Sequence, residues 1–141
     1  MSEHLRTATL RWTGEGLAFE GTAGSSGPDR IVPIDGEGDG GPAPMEMLLL
    51  SLGGCMAIDI RVILVRSRVK LDTLELDLVG ERREAEPQSF QAIRMHLRMA
   101  GPSEGDRAKV ERAIRLSEEK YCSVYHTLRP DLRIQTSFEL V

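Results

Sequence analysis

Only two cysteines, Cys55 and Cys122, occur in the 141 residues. That is too few for a disulfide scaffold, so they read as cytosolic thiols, structural or redox-active. There is no basic excess: 18 Lys and Arg stand against 22 Asp and Glu, a formal net charge of −4. This argues against a nucleic-acid partner, which demands a basic face. No Cys-x-x-Cys or His-x-x-x-His occurs, so ready-made zinc spacing is missing. The opening Met1-Ser2-Glu3-His4-Leu5-Arg6 lacks an apolar leader core, which predicts a protein that is not exported. No apolar run reaches the length of a membrane span without interruption. Around residue 50 the run is broken by Glu46, Asp59, Arg61 and Arg66, which points to a buried helix of a soluble, cytoplasmic protein and to no membrane partner.

What is present is one domain's worth of chain, 1–141, with 40% hydrophobic residues. The stretch from Gly41 to about Val65 organises it. Pro42 and Pro44 suit a helix's first turn, where N–H groups have no partner anyway. An almost continuous apolar sequence follows, and a helix apolar nearly all round must be buried on nearly all sides. Gly53-Gly54 directly precede Cys55; glycines weaken a helix interior by about 1 kcal/mol each, so a close neighbour or a kink is expected there.

Around this helix the pattern is mostly strand. Residues 5–12, the turn Thr13-Gly14-Glu15-Gly16 and residues 17–20 read as a hairpin, and Arg30-Ile31-Val32-Pro33-Ile34-Asp35 as a short edge strand. Gly36-Glu37-Gly38-Asp39-Gly40-Gly41 is a flexible lead into the helix. Leu74, Leu76 and Leu78 alternate with acids, and Ile93, Met95, Leu97 and Met99 alternate with Arg94, His96 and Arg98, giving two half-buried strands paired as an antiparallel hairpin. Ser103 and Asp106 open an amphipathic helix with Val110, Ala113, Ile114, Ser117, Tyr121 and Val124 on one face. Cys122 lies near its end, and Ile134, Thr136, Phe138 and Leu140 mark a last strand. The class is α+β with a mostly antiparallel sheet. One sheet covers only half of so apolar a helix, so a homodimer is expected to cover the rest.

The stretches Gly41–Asp59 and Ala113–Val124, with Glu81-Arg82-Arg83-Glu84 between them, resemble the OsmC/Ohr family, the osmotically inducible and organic hydroperoxide resistance proteins, most closely its YhfA-like branch. The resemblance covers essentially the whole chain. It implies an intertwined homodimer with sites at the subunit interface, and thiol-dependent reduction of organic hydroperoxides. In that reading Cys55 is the attacking thiolate, Cys122 the resolving thiol and an external dithiol the reductant. The family's paired glutamate falls at Met45, and Glu46, one position on, reads either as a further catalytic-site residue or as a cap at the helix start. The family's activating arginine is not in register: the first turn reads Thr13-Gly14-Glu15-Gly16, and the region before the helix reads Pro33-Ile34-Asp35.

The chemistry itself needs no metal and no organic cofactor. A thiolate attacks the O–O bond to give a sulfenic acid, and a second thiol condenses with it to a disulfide. An apolar site raises a thiol's pKa, so something must offset burial of Cys55. Arg11, Arg30 and His126 are the cationic candidates. Asp59, four residues after Cys55, shares its helix face and acts in the opposite sense unless it holds a cation. Two rival readings remain: a metal site of Cys55, Cys122 and His126, and a non-catalytic dimer that binds a small apolar or acidic ligand.

Overall fold

A computed structural model describes residues 4–141; the leader reading above begins in residues 1–3, which lie outside the described residues. The chain divides into two compact units, residues 1–48 and 49–141.

The first unit is a three-stranded antiparallel sheet in the order β1-β2-β3, with β1 Ala8–Trp12, β2 Ala18–Ala23 and β3 Val32–Asp35. Turn chemistry builds it as the sequence suggests. Gly14 and Gly16 take the left-handed backbone that the β1–β2 connection requires, and Trp12 Nε1 donates to the Gly16 carbonyl at 3.0 Å. Pro33 sits on an edge strand, where its missing N–H costs no ladder bond. The glycine-rich loop after β3 is ordered by Asp35. Its carboxylate accepts from the Glu37 and Gly40 N–H groups, both at 2.9 Å.

α1 (Pro44–Arg66) starts at the second proline of the Pro-Ala-Pro run. Glu46 Oε1 accepts from the Ala43 N–H at 3.0 Å, holding one of the donors that a helix start leaves unpaired.

The second unit contains most of α1, β4 (Thr73–Arg82), β5 (Phe90–Ala100), α2 (Arg107–Leu116), α3 (Ser123–Thr127) and β6 (Arg133–Leu140). Its sheet runs β4-β5-β6. β4 and β5 form the expected antiparallel hairpin, pairing Leu76 with Leu97 and Leu78 with Met95. β6 pairs with β5 in parallel, with Ile134 opposite Ile93 and Phe138 opposite Leu97. A parallel neighbour cannot be reached by a tight turn; here the connection carries α2 and α3. The two helices after β5 are therefore a topological requirement.

The core of this unit is made by Leu52, Met56, Ile60 and Leu64 of α1, Ile93, Met95, Leu97 and Met99 of β5, Val110, Ala113 and Ile114 of α2, and Cys122. Gly53 is explained by its neighbour: a Cβ there would stand 2.8 Å from Leu78 Cδ1. Gly54 has open space beside it. Only one face of α1 is covered within the unit. Leu50 and Ile58 keep 61% and 66% of their surface, and Val62 and Val65 are exposed on the same side.

Candidate functional site

Ser103 opens the second helical region as expected, its N–H donating to Asp106 Oδ2 at 3.0 Å. The single amphipathic helix read from the sequence is in fact interrupted. After α2 the chain makes a π-helical turn, Ser117–Tyr121, closed by the Cys122 N–H to Ser117 carbonyl bond at 2.8 Å. Cys122 then leaves helical geometry (φ −73°, ψ 106°) before α3 begins. The wider turn shifts the phase of the helix by one residue. Tyr121, which the periodicity places inward, is 49% exposed, while Cys122 is fully buried. Such π turns recur at functional sites because they re-aim side chains that a regular helix would send elsewhere.

The turn delivers Cys122 to α1. The Sγ atoms of Cys55 and Cys122 and a carboxylate oxygen of Asp59 lie no more than 4.8 Å from one another. Cys55 and Asp59 are one helical turn apart and share a face. Both are half-buried. No disulfide joins the two sulfurs. Asp59 Oδ2 accepts from the Ser117 hydroxyl at 3.0 Å, and Ser117 is fully buried. The serine therefore fixes where the carboxylate points. Among the described residues no lysine, arginine or histidine forms an ion pair with Asp59.

The electrostatics follow from these neighbours. Burial pushes the Cys122 thiol up from 9.0 to about 11. The Tyr125 N–H, donating to Sγ at 3.3 Å, works the other way, and the neighbouring Cys55 and Asp59 add to the rise. At neutral pH Cys122 is a thiol. The Tyr125 phenol is likewise held above its usual range, first by burial and then by Glu118, which itself accepts a bond from the Thr136 hydroxyl.

Of the sequence-stated candidates, Cys55, Cys122 and Asp59 come together. The side chain of His126 is outside the cluster; it is exposed, its ring centroid 5.6 Å from that of Tyr125. Glu46 takes the capping role already described. Arg11 pairs with Glu20 on the first sheet at 3.6 Å, and Arg30 lies in that same unit. Ser117 was missed as a site residue. Its signal was available: a hydroxyl on an otherwise apolar helical stripe demands a buried partner.

Comparison with known proteins bears on the same residues. The family model described as OsmC-like protein matches residues 36–137, which includes both cysteines. Protein YhfA of Escherichia coli K12 is 41% identical over 134 residues, covering 95% of this chain and 97% of the relative. A crystal structure of a hypothetical protein from Aquifex aeolicus VF5 superimposes with a TM-score of 0.84 at 27% identity, covering 98% and 97% of the two chains. The organic hydroperoxide resistance protein OhrB of Bacillus subtilis shares the fold at a TM-score of 0.64 and 15% identity, with coverage of 98% and 100%.

Proposed function

The chain belongs to the OsmC-like family, and from that premise we propose that it is a cytoplasmic thiol peroxidase that reduces organic hydroperoxides. The observation that carries the proposal is the meeting of two sulfurs from distant parts of the chain, one half-buried and one fully buried. Cys55 is the attacking residue because it alone of the two keeps solvent access. Its sulfur takes the distal oxygen of the hydroperoxide, the O–O bond breaks, and the alkoxide leaves as an alcohol after taking a proton. The product is a Cys55 sulfenic acid. Cys122 needs no lowered pKa for the next step. Its thiol condenses with the sulfenic acid, releasing water and forming the disulfide, and its burial keeps it from reacting first. Closing from at most 4.8 Å to a bond of about 2.05 Å requires rotation of the two side chains. An external dithiol returns the pair to thiols by exchange.

Asp59 lies beside both sulfurs and is suited to carry the thiol proton toward the leaving alkoxide. Glu46 contributes by fixing the start of the cysteine helix. The exposed apolar face of α1, with Leu50, Ile58, Val62 and Val65, supports a homodimer in which a second copy covers it. The family match crosses the boundary between the two units, which supports reading 1–141 as one functional domain.

The test mixes reduced protein with an alkyl hydroperoxide and counts thiols. Two thiols lost for each peroxide consumed supports the reading. Thiols that survive prolonged excess peroxide overturn it and leave a ligand-binding dimer, the reading favoured by an uncompensated carboxylate beside the sulfurs.

A further inference from the structure

We propose that Cys55, Asp59 and Cys122 form a binding site for a thiophilic divalent cation, Zn2+, in the reduced protein. Three observations carry it. The donors are of the right kinds, two sulfurs and a carboxylate oxygen, and they converge from two separate elements with no more than 4.8 Å between any pair. Tetrahedral zinc, with Zn–S of about 2.3 Å and Zn–O of about 2.0–2.2 Å, places such donors roughly 3.5–3.8 Å apart. The cluster is thus within about 1 Å of that spacing, a distance that side-chain rotation covers.

The carboxylate is also oriented from behind. Ser117, fully buried, donates to Asp59 Oδ2 at 3.0 Å. A hydrogen bond to a ligating carboxylate is the usual support of a metal site. Finally, the cluster lacks a cation: among the described residues no basic side chain pairs with Asp59. Two thiolates and a carboxylate carry three negative charges, which a divalent ion reduces to one. Sulfur donors select zinc over magnesium and calcium. Three protein ligands leave a fourth position, which water fills.

Binding displaces one proton from each thiol, so affinity rises with pH. The disulfide that an organic hydroperoxide produces from the metal-free thiols, with alcohol and water as the other products, offers no thiolate, so the oxidised protein does not hold the ion. The binding site stands without the peroxidase reading. The consequence that zinc shields Cys55 from peroxide until it is removed does rest on that reading.

The experiment titrates Co2+ into reduced, chelator-treated full-length protein without oxygen, followed by Zn2+ competition. One ion per chain, with a thiolate-to-cobalt charge-transfer absorption that Zn2+ abolishes, is the expected result. Cys55→Ser removes the absorption, and Asp59→Asn weakens Co2+ binding by about tenfold or more with unchanged circular dichroism. If Asp59→Asn does not fold, Ser117→Ala serves instead, with a loss of about tenfold or more. Absence of the charge-transfer band overturns the proposal. So does affinity unchanged in the folded carboxylate or serine variant, because binding would then not use the oriented carboxylate. Peroxide consumption by the metal-free protein is scored separately, so failure of zinc binding and failure of peroxidase chemistry give different results.

Discussion

The carboxylate of Asp59 accepts a hydrogen bond from Ser117 Oγ at 3.0 Å, and this bond aims a negative charge at the two sulfurs. The arrangement is opposite in sign to the arginine that the family resemblance leads one to expect. Proton handling at this site therefore runs against an anion.

Replacing Asp59 by Asn keeps the shape and an acceptor for Ser117 while removing the charge. The thiol of Cys122 then ionises at lower pH, because one of the groups that raises it is gone. In a Cys55→Ser background, thiolate absorbance in the ultraviolet measures the midpoint. A downward shift is expected, and an unchanged or higher midpoint contradicts the stated charge geometry.

Alkaline stability gives a second check. Cys122 titrates near 9.0 when unfolded and near 11 when folded. Between those values the folded state holds more protons than the unfolded state, so stability falls as pH rises through the window and is complete below it. The loss attributable to this group approaches about 2–3 kcal/mol. Denaturant unfolding of reduced protein and of Cys122→Ala across pH 8–11 isolates it: the variant should show a smaller decline.

Gly53→Ala places a methyl where Leu78 Cδ1 stands 2.8 Å away. The leucine tip must move within a packed core, and a loss of about 1–3 kcal/mol in unfolding free energy is expected. Gly54→Ala meets nothing within 4 Å among the described residues. It gains about 1 kcal/mol of helix propensity unless a second copy packs against that face, so its sign in a urea titration reports on the surroundings of the helix.

Ile58→Asp puts a charge in the middle of the exposed apolar face of α1, where Ile58 itself keeps 66% of its surface. A chain whose dimer depends on that face should halve in mass by light scattering while retaining its far-ultraviolet spectrum. An unchanged mass removes the face from the interface.

Much of the fold was legible because it rests on local rules. The Leu74–Leu78 part of β4 and the Ile93–Met99 part of β5 follow from strict alternation, and the long helix follows from its prolines and apolar content. Two features were not legible. The parallel pairing of β6 depends on where a crossover lands, which periodicity does not encode. The break at Cys122 depends on one extra residue of helical turn, and Val124 and Tyr121 fit an unbroken stripe equally well in the sequence. Cys55 and Cys122 could be singled out by residue type and resemblance. Asp59 was visible as a neighbour of Cys55, but its hold on Ser117 arises only when α1 packs against the π turn.

The parallel β5–β6 pair has a kinetic consequence. Its strands are joined only through the segment that carries Cys122, so this contact has a long sequence separation and forms slowly compared with the β4–β5 hairpin. Until it closes, a refolding chain has no fixed geometry between its sulfurs. Pulsed crosslinking with a short bifunctional thiol-reactive reagent should join the pair only after the hairpin's own signal has saturated, which would make assembly of the chemistry a late event in folding.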